Sequence, residues 1–251
     1  MIKFFRKIRQ NLLNEGKTGK YIKYAIGEIF LVVIGILIAL QINNWNEARK
    51  DKKYLNRVYT QIKNDLQKDT LEMGVAIKLI TEKNKRLTAI IDGTVSVSYY
   101  DTINVSNHEK CEKCRSDVTD FNPFQNLDKG YQLLKAMNTD QNLKTDSFSL
   151  KIDAFYTDYN VFVTKGNSTL LNLIATNISD YQKYDWFVPW SAFIGSQFYT
   201  EEFLTYIFES KENRVKSANY LIFSKWYSGN LKSFKQDATQ IVLLLEEQLN
   251  E

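Results

Sequence analysis

The feature that most limits how this chain can fold is one uninterrupted apolar segment near its amino terminus. Between Ala25 and Ile42 the only strongly polar residues are Glu28 and Gln41. As an α-helix these roughly 18 residues would be about 27 Å long, close to the hydrocarbon thickness of a bilayer. Because a backbone in lipid must satisfy its own hydrogen bonds, a single crossing has to be helical. The segment predicts a transmembrane anchor over residues 24–45.

A buried strand or core helix and a cleaved signal peptide are the alternatives to this anchor. A strand of this length without a turn residue would be unusual. A signal peptide would have a shorter apolar region and then a small-x-small cleavage site, which the polar run from Gln41 to Asn46 does not offer. Tyr24 and Trp45 flank the segment, as aromatic residues do at membrane interfaces. We therefore expect an uncleaved anchor.

Three residues of the anchor are candidates for packing against another membrane helix. Gly35 and Ala39 are small residues four positions apart, a spacing that lets two helices approach closely. Glu28 lies about one turn inside the span, where a carboxylate reaches the headgroups, pairs with Lys20 or Lys23, or contacts a partner helix. The sequence leaves these alternatives open.

The residues around the anchor predict its orientation. Residues 1–23 contain seven Lys and Arg against Glu15 alone. Four apolar side chains of this segment share one helical face: Ile2, Phe5, Ile8 and Leu12. This is the pattern of a short basic helix on an anionic, typically cytoplasmic, membrane surface. Basic residues also follow the anchor, so the Lys and Arg count alone barely separates the two sides. We expect residues 1–23 in the cytoplasm and the larger domain in the periplasm.

Amphipathic helices are expected over most of residues 46–251, where apolar residues recur every three or four positions. The expected helices are 46–92, ending at Asp92-Gly93; 124–138; a helix from near Asp146 to Tyr181 that Gly166 kinks or divides; one capped by Thr200; and 211–249. The apolar stripe expected in the last helix includes Val215, Ile222 and Trp226. Stripes of this kind stay dry only when helices pack together. The sequence predicts an all-α fold, an anchor followed by an antiparallel helical bundle.

Residues 93–122 interrupt the helical pattern and predict a small irregular or β-like insertion. It contains Cys111 and Cys114, the two cysteines of the chain, and His108, its single histidine. In an oxidising compartment the cysteines would form a disulfide. With His108 they would make part of a zinc site, which needs a second chain or a fourth ligand from Glu109, Glu112 or Asp117. A redox pair or free thiols are further alternatives, although redox motifs usually open a helix after a strand.

An aromatic cluster in "YDWFVPWSAF" is the second candidate site. Trp186, Phe187, Trp190 and Phe193 surround one proline. Exposed aromatic residues of this kind mark partner-binding sites. The alternative is that the cluster closes one end of the bundle.

Several function classes lack support in the sequence. There is no glycine-rich phosphate loop, no HExxH and no GxSxG. The formal net charge of +4 owes much to residues 1–23, which favours a membrane partner over nucleic acid. We expect neither an enzyme nor a bound cofactor.

The stretch "MIKFFRKIRQNLL", followed by "GKTGKYIKYAIGEIFLVVIGILIALQINNWNEARK", resembles the amino-terminal signature of an uncharacterised family of bacterial single-pass membrane proteins. The resemblance covers residues 1 to about 50 and is looser in "YQLLKAMNTDQNL". It implies a bacterial origin, an amino-terminal anchor and a mostly helical remainder. It implies no activity and no catalytic residue.

The expected function is a non-enzymatic protein of the bacterial inner membrane whose extracytoplasmic bundle binds or scaffolds a partner protein or a second copy. A ligand-sensing bundle that acts through another protein is one alternative. A redox or metal protein that uses Cys111 and Cys114 is the other.

Overall fold

The computed structural model describes residues 18–95, 117–139, 147–191 and 200–250. Within these ranges the chain forms helices and no strand, which confirms the all-α prediction. The helices are α1 (Thr18–Ile91), α2 (Lys129–Thr139), α3 (Ser147–Tyr181), α4 (Phe187–Ser191), α5 (Glu201–Glu209) and α6 (Lys211–Asn250).

The chain divides into two compact units, Met1–Arg57 and Val58–Glu251, and α1 contributes to both. In the first unit the large apolar side chains from Ile29 to Ile42 are 37–66 % exposed. A soluble surface rarely carries an apolar patch of this extent. By length and composition, α1 is a helix that could cross a membrane through this stretch.

The second unit is a bundle of three long helices in which α6 runs antiparallel to the other two. Along α1, Lys63 pairs with Glu246 across 3.8 Å, and Asn84 accepts a hydrogen bond from Ser224. Residue numbers therefore rise on α1 as they fall on α6. The same relation holds on α3, where Phe155 packs against Phe234 and Asp180 pairs with Lys216.

Helices α1 and α3 run parallel to each other. The Tyr59 hydroxyl of α1 lies 2.9 Å from the Ser149 hydroxyl of α3. Further along both helices, the Tyr159 hydroxyl of α3 contacts the Met73 sulfur of α1 at 3.8 Å, so residue numbers rise together. Two parallel helices need a connection that returns along the bundle. Residues 117–128 and then α2 provide it, and we call residues 117–128 the return segment.

The return segment changes one predicted boundary. The sequence predicts a helix from residue 124, whereas α2 begins at Lys129. Residues 124–128 lie outside any helix, and side chains of α1 and α3 bind the Leu127 amide and the Phe124 carbonyl. Residues 96–116, which include most of the predicted β-like insertion, lie outside the described residues, as does Asp146.

Two predicted helix boundaries are confirmed. Helix α1 ends before Gly93, which has a φ of 67°, and the following amide of Thr94 bonds back to Ala89 at 3.0 Å. This left-handed closure is the usual reason for glycine after a helix. The Thr200 hydroxyl accepts a hydrogen bond from Phe203 N at 3.1 Å and caps α5.

The predicted stripe of α6 is wrong in its first half. Val215, Ile222 and Trp226 are 59 %, 65 % and 44 % exposed. The buried face instead carries mainly polar and hydroxyl-bearing residues: Asn213, Lys216, Ser217, Tyr220, Ser224, Tyr227 and Ser228. Many of their polar atoms are paired within the bundle, which removes much of the cost of burying them.

Helix α3 continues through Gly166, so the predicted division of the helix at this residue is wrong. A Cβ at this position would lie 2.5 Å from the Tyr227 ring of α6. Gly166 is thus a point of close packing between two helices.

Candidate functional site

The return segment is held in place by asparagine side chains of α3. Asn177 donates to the Val118 carbonyl at 2.8 Å, and Asn167 donates to the Phe124 carbonyl at 2.7 Å. Asn160 accepts a hydrogen bond from the Asn126 side chain. Val118 and Phe124 are buried and lie outside any helix, so their carbonyls need donors from elsewhere in the fold. Asn177 and Asn167 supply these two donors, and Asn160 adds a contact between side chains.

Tyrosines of α6 complete this arrangement. The Tyr220 hydroxyl donates to the Asp120 carbonyl at 3.1 Å. The Tyr227 hydroxyl donates to the Asn167 side-chain oxygen at 2.7 Å. Asn167 therefore links the return segment to α6, and its amide orientation is fixed from both sides.

Two carboxylates of α1 bind the point where the return segment becomes α2. Both oxygens of Asp69 accept from Leu127 N, at 3.1 Å each. Asp65 accepts from Gly130 N at 2.8 Å and from the Gln61 side chain at 2.8 Å. Amides at the start of a helix have no partner within that helix, and negative charge is favourable there. We call Asp65 and Asp69 the carboxylate clasp.

The environment of Asp69 is unusual for a carboxylate. Its side chain is fully buried. Burial raises its pKa to about 7 against the opposing Leu127 hydrogen bond, and the negative charges of Glu72 and Asp65 raise it further. Asp69 thus changes its protonation state near neutral pH.

Two cationic side chains of α1 bind the other end of the return segment. The Arg86 guanidinium binds both oxygens of the buried Asp117, with its shortest contact at 2.7 Å. Burial raises the pKa of Asp117 and the Arg86 hydrogen bond opposes this. Lys83 donates to the Asp120 carbonyl and lies 5.2 Å from the centre of the Tyr220 ring. Burial lowers the pKa of Lys83, while the acids around it act in the opposite direction.

A groove of about 750 Å³ lies between α1 and the return segment, with Tyr220 at one side. Its apolar lining consists of Val75, Ala76, Leu79, Ile80, Phe121, Pro123 and Phe124. Leu71, Val75 and Leu79 follow each other at one-turn intervals and are 73 %, 61 % and 53 % exposed. Because Lys83 and Arg86 are engaged by the return segment, the exposed charges of the lining are the carboxylates of Glu72, Glu82 and Asp120. The groove is therefore apolar with an acidic margin.

Two residues of the predicted aromatic site lie inside the bundle. Trp186 and Trp190 are 3 % and 7 % exposed. Trp186 packs against Tyr206 and Phe203 of α5, with ring centres 5.1 Å apart in each case. Two of the four predicted patch residues are thus interior, which favours the alternative that the cluster closes one end of the bundle. Phe187 is half-buried, and Phe193 lies outside the described residues.

The predicted disulfide or metal site, made of His108, Cys111 and Cys114, also lies outside the described residues, as do Glu109 and Glu112. Its chemistry stays a prediction. Asp117, the remaining candidate for a fourth ligand, is bound by Arg86. Within residues 18–95, 117–139, 147–191 and 200–250, no group of three or more His, Cys, Asp or Glu side chains is placed to hold a metal ion.

The predicted helix-packing residues of the anchor lie on α1. A Cβ added to Gly35 would have nothing within 4 Å among its surroundings, and Ala39 is exposed. Glu28 is partly exposed. Association of a second helix along this face stays a prediction.

Residues 28–159 match a family described as a family of unknown function (DUF6090). The chain belongs to this family. The matched region contains Asp65, Asp69, the return segment and α2, and it ends within α3. No curated protein and no solved structure matches the chain. The DUF6090 match confirms the predicted membership of an uncharacterised family and assigns no activity.

Proposed function

We propose that this chain is a membrane-anchored, non-enzymatic protein of the bacterial cell envelope whose bundle binds a partner protein through the groove. In this proposal residues 1–23 lie in the cytoplasm, residues 24–45 cross the inner membrane, and the bundle lies in the periplasm. The apolar stripe of Leu71, Val75 and Leu79 beside the groove carries the proposal.

The shape of the groove favours a peptide segment of a partner as its occupant. The stripe from Leu71 to Leu79 covers about 12 Å of helix. This length suits the apolar face of a partner helix or a short extended segment. The carboxylates of Glu72 and Glu82 favour basic side chains next to the partner's apolar residues.

Site-specific photocrosslinking in cells tests this surface. A photoreactive residue at Val75 is expected to give a discrete adduct with a partner protein. The matched control is Val161 of α3, a valine of nearly equal exposure, 63 % against 61 %. Leu79→Lys should remove the adduct at Val75 because it places a charge in the apolar groove. Equal labelling from Val75 and Val161, or no adduct from either, would argue against this binding surface.

The topology has its own test. Fusions at the carboxyl terminus to a periplasm-active or a cytoplasm-active reporter enzyme are expected to give activity with the periplasmic reporter alone. Activity of the cytoplasmic reporter would reverse the proposed orientation.

A ligand-sensing bundle is the second candidate, and the groove volume of about 750 Å³ favours it. Small-molecule sites in proteins fall in the same size range. A sensor would show a rise in the unfolding temperature of the full chain with one class of small molecule and no crosslinked partner at Val75.

A further inference from the structure

The carboxylate clasp lies where it can control one wall of the groove. Asp69 binds Leu127 N and Asp65 binds Gly130 N. Residues 120–125, which line the groove, lie directly before this point in the chain. If the hydrogen bond from Leu127 N to Asp69 weakened, the end of that wall would be free to move. The carboxylate clasp therefore connects α1 to the wall of the groove that the return segment forms.

Burial and the neighbouring acids favour the neutral form of Asp69, whereas the hydrogen bonds from Leu127 N and the Tyr159 hydroxyl favour the ionised form. The groups nearest to Asp69 are acids or hydroxyls: Asp65 and Glu72 of α1, and Tyr156 and Tyr159 of α3. Among the described residues, the Tyr156 hydroxyl is buried without a hydrogen-bond partner. The α6 cation on this side, Lys235, lies against Gly74, more than one turn further along α1. Adjacent buried carboxylates resist ionising together.

We propose that the clasp is a pH-sensitive latch, closed when Asp69 is protonated and loosened when Asp69 ionises beside Asp65. The protonated acid keeps an oxygen that accepts from Leu127 N and carries no charge that repels Asp65. Ionisation places two buried carboxylates one turn apart on α1, with Glu72 close by. The repulsion is relieved when residues 127–130 move away and water enters.

The sign of the pH effect follows from the direction of the shift. The pKa of Asp69 is about 7 in the closed bundle and near 3.8 when the side chain is solvated. The closed form therefore keeps a proton that the open form releases between these values. The stabilisation by the proton is complete at low pH and is lost as the pH rises toward 7. Opening should increase about tenfold per pH unit between pH 5 and pH 7 and level off above pH 7.

Hydrogen–deuterium exchange of the full-length chain in detergent micelles tests the latch. Exchange of peptides that cover residues 124–133 is followed from pH 5 to pH 8.5 and corrected for the intrinsic pH dependence of amide exchange. The parent chain should lose protection about tenfold per unit up to pH 7. Asp69→Asn keeps an acceptor for Leu127 N and cannot ionise, so its protection should be independent of pH. Asp158→Asn, an exposed residue of α3, should behave as the parent.

Asp65→Asn is the second variant, which keeps the test decisive if Asp69→Asn folds poorly. Removing the charge of Asp65 should lower the pKa of Asp69, so exchange should level off at a lower pH. A parent profile without pH dependence, or an Asp69→Asn profile as steep as that of the parent, would overturn the latch.

The idea that the latch controls partner binding rests on the proposed function. The exchange measurement tests the latch without reference to a partner. Crosslinking at Val75 should change between pH 5.5 and pH 7.5 in the parent chain and stay constant in Asp69→Asn. A pH-independent adduct in the parent would refute control of the groove. Absence of adducts at every pH would count against the proposed partner surface, and the exchange profile would still decide whether the latch exists.

Discussion

The packing of Gly130 against α1 gives the sharpest stability prediction. A Cβ at this position would lie 2.5 Å from Ile62 N, 2.7 Å from Ile62 Cγ1 and 2.8 Å from Ile62 Cα. Favourable contacts between such atoms begin near 3.5 Å. Two of the three atoms belong to the backbone of a helix, so no side-chain rotation relieves the overlap. Gly130→Ala must therefore push α2 away from α1 by about 1 Å.

The expected cost follows from two effects. Forcing extra volume into a packed interior costs about 1–3 kcal/mol. The displacement also lengthens the 2.8 Å hydrogen bond from Gly130 N to Asp65, and a bond to a charged group contributes about 1.5–3 kcal/mol. Replacing glycine in a helix returns at most about 1 kcal/mol. We expect a net loss of about 2–3 kcal/mol.

Gly229→Ala is the matched control. Gly229 lies within α6, is exposed, and has nothing within 4 Å of its added Cβ. Alanine there should stabilise the chain by up to about 1 kcal/mol. Urea unfolding of the full-length chain in one detergent, followed by circular dichroism, should move in opposite directions for the two variants. A Gly130→Ala chain as stable as the parent would refute the close contact between α2 and α1.

Three further predictions follow from the contacts between helices and from the cysteines. Gly166→Ala should destabilise the bundle by about 1 kcal/mol, because displacement of the Tyr227 ring outweighs the gain in helix propensity; a rise in the urea midpoint would contradict this. Asn167→Leu should cost about 2–4 kcal/mol, since it removes the donor to the Phe124 carbonyl and the acceptor of the Tyr227 hydroxyl proton; a loss below about 1 kcal/mol would mean that other groups replace it. Cys111 and Cys114 should resist alkylation in the unfolded chain until a reductant is added, as expected in an oxidising compartment; immediate alkylation would remove the disulfide interpretation.

The parts of the fold that could be predicted from sequence depend on local chemistry. The apolar run before Ile42 determines an exposed apolar helix whatever the rest of the chain does. The stop at Gly93 and the cap at Thr200 need only residues within one turn. The buried face of α1 could also be predicted from apolar periodicity, because Ile62 and Leu66 are apolar and fully buried.

The parts that could not be predicted depend on partners distant in sequence. The first half of α6 buries Ser224 and Tyr220, because Asn84 and the Asp120 carbonyl receive their hydroxyl groups. Apolar periodicity cannot detect such pairs. It selects Ile222, which faces outward. The non-helical residues 117–122 were predicted as part of the irregular insertion, but the continuation of the return segment to residue 128 was not, since the side chains that bind it come from other helices. Pro123 was the one local signal within it.

The order of the helices, with α6 after α1 and α3, has a consequence for biosynthesis. Helix α6 supplies the tyrosines that hold the return segment and the rings that pack on α3. Until α6 leaves the ribosome, α1 and α3 face an unfilled space. Folding of the bundle is therefore completed only after α6 has been made, and a nascent chain that stalls before α6 presents its unpacked core to chaperones and proteases.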